Sequence, residues 1–215
     1  MKRHLLWDWN GTLLDDTRAC VDALNVMLVR RSLPPLTLER YRATFAFPVR
    51  RFYAALGLRL EHEDWDALAR EYHDLYAEQP KALNAETFAA LELARSAGVG
   101  QSIISALRQD LLDGATAAFG VAPYMREVFG VDNLDGSSKL GRAHELVARL
   151  TADGVCRREE MVLIGDALHD KEVADALGVR CVLCAQGSHA HWRLTEAAPT
   201  GRTLTESVRL ALADA

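Results

Sequence analysis

Short apolar runs alternate with longer stretches of helical spacing along most of the chain. His4 to Trp9 reads as a buried strand, and Asp15 to Arg31 as a helix with Cys20, Leu24, Met27 and Leu28 on one face. Asp15 or Asp16 is placed to cap that helix. Pro34-Pro35 breaks the pattern, and three helical stretches follow: Leu36 to Phe45, Val49 to Leu56 and His62 to Glu78. No strand-like run occurs between residues 16 and 81, where Pro80 closes the block. Beyond it the alternation resumes. Helices are predicted over Ala85–Ser96, Leu107–Phe119, Lys139–Leu150, His169–Leu177 and Thr203–Leu212. Strands are predicted over Val99–Ser105, Glu127–Val131, Met161–Gly165 and Val179–Ala185. Strands alternating with helices predict an α/β fold, a Rossmann-like parallel sheet covered on both faces. Residues 16–81 then form an inserted all-helical cap domain, and residues 1–15 with 82–215 form the core.

Composition narrows the class. Of 215 residues, 49% are hydrophobic and 26% charged, which excludes a disordered, collagen-like or disulfide-built chain. A net charge of −5 argues against a protein that coats nucleic acid. No apolar run approaches the ~20 residues that span a bilayer. Met1-Lys2-Arg3-His4 leads into only three apolar residues before Asp8, so no signal peptide is expected. Four cysteines point to a reducing compartment, and a cytoplasmic monomer or homodimer is the expectation. Cys181 and Cys184 form a C-x-x-C within an apolar run, which reads as core rather than as a redox or zinc pair. Only four of the 25 basic residues are lysine: Lys2, Lys81, Lys139 and Lys171.

Ligands of open parallel sheets bind outside the carboxyl ends of the strands. The first strand here ends at Asp8, followed by Trp9-Asn10-Gly11-Thr12-Leu13. The second ends at Ser105, Lys139 opens the helix after the third, and the next ends at Gly165-Asp166 with Asp170 one turn on. Each alone is unremarkable, since a strand-end Asp is commonly a helix cap. Together they bring carboxylates, a hydroxyl and a scarce lysine to one rim. Convergent carboxylates stay ionised only beside a cation, and oxygen ligands favour Mg²⁺. An Asp can attack phosphorus, while a lysine and N–H or O–H groups hold phosphate oxygens.

These residues resemble the haloacid dehalogenase-like hydrolase superfamily. The first motif is Leu5-Leu6-Trp7-Asp8-Trp9-Asn10-Gly11-Thr12-Leu13, the second Ser102-Ile103-Ile104-Ser105, the third Lys139, and the fourth Gly165-Asp166-Ala167-Leu168-His169-Asp170. Phe47-Pro48, Phe52-Tyr53 and Leu56-Gly57 are similar to caps of the phosphoglycolate phosphatase-like branch. The resemblance implies that Asp8 is the nucleophile and a Mg²⁺ ligand, and that Asn10 offers its backbone carbonyl to the metal. It makes Asp166 a direct ligand, and Asp170 a ligand or the group that orients one. Ser105 and Lys139 would hold the phosphoryl group, Ala106 would offer its backbone N–H, and Thr12 would shape the loop. The implied partner is a small phosphorylated metabolite, with no nucleic acid and no membrane.

One position departs from the pattern. The family's phosphatases carry Asp where this chain has Asn10, and that Asp protonates the leaving oxygen and activates water. Losing a general acid/base typically costs about 10²- to 10⁴-fold. Three readings stay open: a slow phosphatase, a leaving group that needs no protonation, or a fold that binds a phosphorylated ligand without turnover. The phosphonoacetaldehyde hydrolase branch needs a cap lysine, and none precedes Lys81. The dehalogenase branch departs from the G-D-x-x-x-D motif that is intact here, and mutases depend on the missing Asp. The inserted block is also divided by charge. Eight arginines against two acids lie in Thr17–Arg59, and one arginine against seven acids in Leu60–Pro80. Two solvated faces that pair with each other account for this. A sharper expectation places Arg50 and Arg51 at the site, steering an anionic substrate.

Overall fold

The computed structural model describes residues 3–132 and 139–213. The chain opens with β1 (His4–Trp7) and β2 (Leu14–Asp15), then α1 (Thr17–Arg30), α2 (Leu38–Thr44), α3 (Val49–Ala55) and α4 (Trp65–Glu78). There follow β3 (Ala82–Leu83), α5 (Thr87–Ser96), β4 (Gly100–Arg108), α6 (Gln109–Ala118), β5 (Val128–Val131) and α7 (Leu140–Ala152). The chain ends with β6 (Met161–Gly165), α8 (Leu168–Leu177), β7 (Arg180–Cys184), α9 (His191–Thr195), β8 (Thr200–Gly201) and α10 (Leu204–Leu212).

Six strands form one parallel sheet in the order β5-β4-β1-β6-β7-β8. β1 lies near the middle, with Leu6 opposite Ser102 of β4 and Leu163 of β6. Side chains alternate across it, because strand residues point to opposite faces in turn. Leu5 and Trp7 join a core with Ile103, Ile164 and residues of α5, α6 and α10. Leu6 joins a second core with Ile104, Leu163 and residues of α7 and α8. A strand buried on both faces has to read as an unbroken apolar run. Cys181 and Cys184 stand three residues apart on β7, so they face opposite sides of the sheet, and both are unpaired thiols. The core reading of the C-x-x-C follows from that geometry.

Helices α1 to α4 have a core of their own, drawn from Val21, Met27, Tyr41, Phe52, Leu68 and neighbours. The chain enters and leaves this helical segment through β2 and β3, which pair antiparallel with Leu14 opposite Leu83. These two-residue strands leave no periodic signature in the sequence: the helix predicted from Asp15 begins at Thr17, and the pattern predicts nothing at Leu14, Ala82 or Leu83. The charge halves of the segment do meet. Arg31 donates to Glu63 at 2.6 and 3.0 Å and to Glu71 at 2.9 Å, and Arg30 reaches Glu71 at 2.8 Å.

Some expected boundaries shift, and two elements appear where none is predicted. The helix predicted from His62 begins at Trp65, where the Asp64 carboxylate accepts from the Asp66 and Ala67 amides. The strand predicted to end at Ser105 continues to Arg108 through an irregularity, since Ile104 pairs with Phe129 but Arg108 with Val131. α9 and β8 fall within residues 186–202, where the pattern predicts no element.

Candidate active site

Asp8 follows β1 directly, and its amide donates to the Ile164 carbonyl of β6 at 2.9 Å. The sheet thereby aims its side chain at the rim between β4 and β6. Lys139, immediately before α7, reaches the Asp8 carboxylate and Asp170 Oδ1, the latter at 2.6 Å. The other Asp170 oxygen accepts from the Asp166 and Ala167 amides at 3.1 and 3.0 Å, which locks the first turn of α8. Asp166 accepts from the Ser188 amide and hydroxyl, both at 2.5 Å, and from Thr12 Oγ1 at 3.2 Å. The irregular stretch of β4 carries Ser105 and Ala106 to the same cavity, as bulges beside active sites commonly do. Ser105 Oγ accepts from the Leu107 amide at 3.0 Å.

Carboxylate oxygens of Asp8, Asp166 and Asp170 lie within 4.8 Å of one another, and all three residues are buried. Burial pushes the Asp8 carboxyl well above its ordinary range; Asp170 and Asp166 add to this and Lys139 opposes it. Asp166 is pushed up to about 7, first by burial and then by Asp170. Lys139 is also buried, but Asp170 and Asp8 overcome that penalty and hold its ammonium charged. Three carboxylates against one ammonium leave an unbalanced negative charge in a dry place. An oxygen-only set of this kind suits a hard divalent cation. The backbone is fitted closely to the trio. Gly11 has φ +75°, and a Cβ at Gly11 or Gly187 would strike Asp166, as one at Gly165 would strike Asp170.

The amide of Asn10 is held by partners outside this trio. Its Nδ2 donates to Asp16 Oδ2 at 2.7 Å and to Tyr76 Oη at 3.1 Å. Tyr76 Oη donates to the same Asp16 oxygen at 2.5 Å, and the Gly11 amide donates to Asp16 Oδ1 at 2.7 Å. Asp16, one of the two expected caps, does stand at the N-cap of α1, but its side chain makes no cap hydrogen bond. It is buried and its carboxyl is raised by that burial, while the hydrogen bonds from Tyr76, Asn10 and Gly11 pull it back down. Tyr76 belongs to α4, so this cluster ties the helical segment to the β1 loop.

One cavity of about 250 Å³ runs from Asp8, Ser105, Ala106, Lys139, Asp166 and Asp170 up to the helical segment. The upper part is walled by aromatic and aliphatic side chains, among them Phe47, Tyr53, Trp65 and Leu24. Arg50 and Arg51 are not among its lining residues. Both are exposed, and the Arg50 guanidinium lies 4.4 Å from the centre of the Trp65 ring. Thr12 is fully buried and holds Asp166 rather than lining the cavity. Sequence reading passed over Ser188, Gly187 and Tyr76. Ser188 was within reach of the strand-end rule, because it lies just beyond the carboxyl end of β7. Tyr76 carries no local signal, since its partners lie 60 and 66 residues away.

The haloacid dehalogenase-like hydrolase family matches residues 5–184. The phosphoglycolate phosphatase of Caulobacter vibrioides is 28% identical over 190 residues, 85% of this chain and 79% of that protein. A probable phosphatase, IndB, of Dickeya dadantii is 27% identical over 93% of this chain and 88% of that protein. Among solved structures, a predicted phosphatase from Clostridium acetobutylicum superposes with a TM-score of 0.79 at 16% identity, over 99% of both chains. A haloacid dehalogenase-like family protein from Streptococcus pneumoniae gives 0.79 at 15% identity, over 97% of this chain and 98% of that one. By the match over most of its length, the chain belongs to the haloacid dehalogenase-like hydrolases.

Proposed function

We propose that this phosphatase hydrolyses a small phosphomonoester with Mg²⁺, through a phosphate ester formed on Asp8. The reading rests on one observation: Asp8, at the end of a central strand, shares a buried pocket with Lys139 and two further carboxylates. Asp8, Asp166 and the Asn10 carbonyl would hold the metal, with Asp170 in contact or orienting the set. The metal, when bound, neutralises the carboxylates and draws charge from the phosphate oxygens. The Asp8 oxygen not engaged by Lys139 attacks phosphorus. Lys139 offsets the negative charge that develops on the phosphoryl group, and Ser105 Oγ and the Ala106 amide hold its other oxygens. The helical segment acts as a cap, and the partner is a small phosphorylated metabolite rather than nucleic acid or a membrane. No helix among the described residues is long and apolar enough to cross a membrane. The four unpaired thiols are consistent with a cytoplasmic enzyme.

A second reading draws support from Asn10. Its amide can neither protonate a leaving oxygen nor activate water, so a domain that binds a phosphorylated ligand without turnover is the alternative. The test is Mg²⁺-dependent phosphate release from an ester panel, phosphoglycolate included, by wild type, Asp8→Asn and Asn10→Asp. Turnover by wild type that disappears in Asp8→Asn supports the enzyme. Turnover confined to Asn10→Asp supports the binding domain.

A further inference from the structure

The cavity above Asp8 is furnished for a particular kind of leaving group. Among the described residues Lys139 is the only lysine or arginine lining it, and it is already engaged by Asp8 and Asp170. The wall facing the phosphoryl position is built from Phe47, Tyr53, Trp65, Tyr72, Leu24 and Val49. Phe47 also lies against His169, with ring centres 4.6 Å apart and planes tilted by 32°, so the wall continues across to α8. A carboxylate-bearing leaving group would enter this wall with no guanidinium or ammonium to meet it, only the imidazoles of His73 and His169 and the like charge of Asp16, at the cost of burying a poorly paired charge. A flat ring would find faces and edges of its own kind. An apolar cavity of about 150 Å³ takes a benzene ring, and about 250 Å³ is open here.

The chemistry at position 10 leads to the same class independently. An alkoxide leaves phosphorus with the basicity of a group whose pKa is near that of water, ~15.7, and needs a proton as the bond breaks. A phenolate has a pKa near ~10 and leaves without one. Asn10, whose amide is committed to Asp16 and Tyr76, supplies no proton.

We propose that the substrate is the phosphate monoester of a phenol, with its ring seated between Phe47, Tyr53 and Trp65 and its phosphate at Asp8. This deepens the phosphatase reading and rests on it. In the first step an Asp8 carboxylate oxygen bonds to phosphorus and the phosphorus–aryl-oxygen bond breaks. The electron pair leaves as aryloxide, which takes a proton from solvent. In the second step water adds to phosphorus and the bond to Asp8 breaks. Inorganic phosphate leaves, one water proton goes to it or to solvent, and the Asp8 carboxylate returns. The missing acid/base penalises the second step more than the first, so phosphoenzyme accumulates.

The test compares 2-naphthyl phosphate, phenyl phosphate, glycerol phosphate and phosphoglycolate on the full chain with Mg²⁺, by rapid quench. The expected result is kcat/KM at least about 10²-fold higher for the naphthyl ester than for phosphoglycolate. The aryl esters also release one equivalent of alcohol in a burst before the steady state. Because aryl esters are intrinsically more reactive, two further measurements isolate the cavity. Val49→Arg, at a half-buried wall position, narrows the naphthyl-to-phosphoglycolate ratio by roughly tenfold or more. Phenylphosphonate binds Asp8→Asn at least about tenfold more tightly than phosphonoacetate does. A glycerol phosphate or phosphoglycolate preference overturns the aromatic class and leaves the phosphatase standing. If no ester turns over and Asp8 is never phosphorylated, the phosphatase reading falls. The phosphonate titration then decides the ligand class, and equal binding overturns it.

Discussion

The side chain at position 10 donates two hydrogen bonds, to Asp16 and to Tyr76, and a carboxylate there would donate neither. Asn10→Asp would set two carboxylates at 2.7 Å, so one of them would have to keep a proton in the folded state. The folded pKa of that pair lies above its unfolded value, so the variant loses stability as pH rises. Urea midpoints should show Asn10→Asp less stable than wild type by about 1–3 kcal/mol at pH 8, with a smaller gap at pH 5.5. Asp166 makes a related prediction for the wild type. Its folded pKa of about 7 exceeds the usual ~4 of a free carboxylate. Metal-free protein therefore holds a proton there that the unfolded chain releases, and the contribution of this group to stability falls as pH rises from about 4 to 7. Mg²⁺ would take the place of that proton, so the Tm gain on adding it should be larger at pH 8 than at pH 5.5. His4 and His189, kept neutral to about pH 4 mainly by burial, contribute equally with and without metal and cancel in this difference. The residues of the site were legible one by one, because each sits at a strand end or helix start. What each touches was not. Asp16 reads as a cap from its neighbours, and only the fold shows its carboxylate turned to Asn10 and Tyr76 instead.

At the level of elements, the regular strands and helices of the sheet could be read from apolar spacing, since burial on both faces leaves no other composition. The irregular pieces could not. The bulge in β4 lies where Ala106 and Leu107 suit a strand or a helix equally, and register with β5 decides it. The neck formed by β2 and β3 has two residues on each side, too few for a period to appear. Charge pattern was informative about which elements meet but not about where each arginine goes. Arg31 binds α4 and the loop before it, whereas Arg50 lies on Trp65. Arg31 is only 22% exposed and bridges two acids. Arg31→Ala should therefore lower unfolding stability by about 1–2 kcal/mol, more than an isolated surface pair would. Its denaturation midpoint, compared with that of Arg18→Ala in the exposed Arg18–Asp22 pair, provides the check.

Taken whole, the molecule divides its labour between two bodies of packing. The sheet and its helices hold the carboxylates and Lys139, and the helical segment supplies the wall above them. Besides the neck and the Tyr76 cluster, the two meet where Arg42 of α2 donates to the Gln186 and Gly187 carbonyls at 2.8 and 2.9 Å. Those carbonyls belong to the loop that carries Ser188 to Asp166. Arg42→Ala should loosen both the wall and that loop, raising KM several-fold, with the Tm lowered by a few degrees. Steady-state kinetics and a thermal melt on one preparation would show both. The neck has a wider consequence. Because Leu14 and Leu83 face each other, the helical segment of residues 16–81 begins and ends at one spot on the rim. The reacting half can keep its atoms in place while the half that chooses the substrate is lengthened, shortened or exchanged outright. A lineage built this way could acquire new substrates by replacing one contiguous cassette of gene sequence, without relearning how to break the phosphate bond.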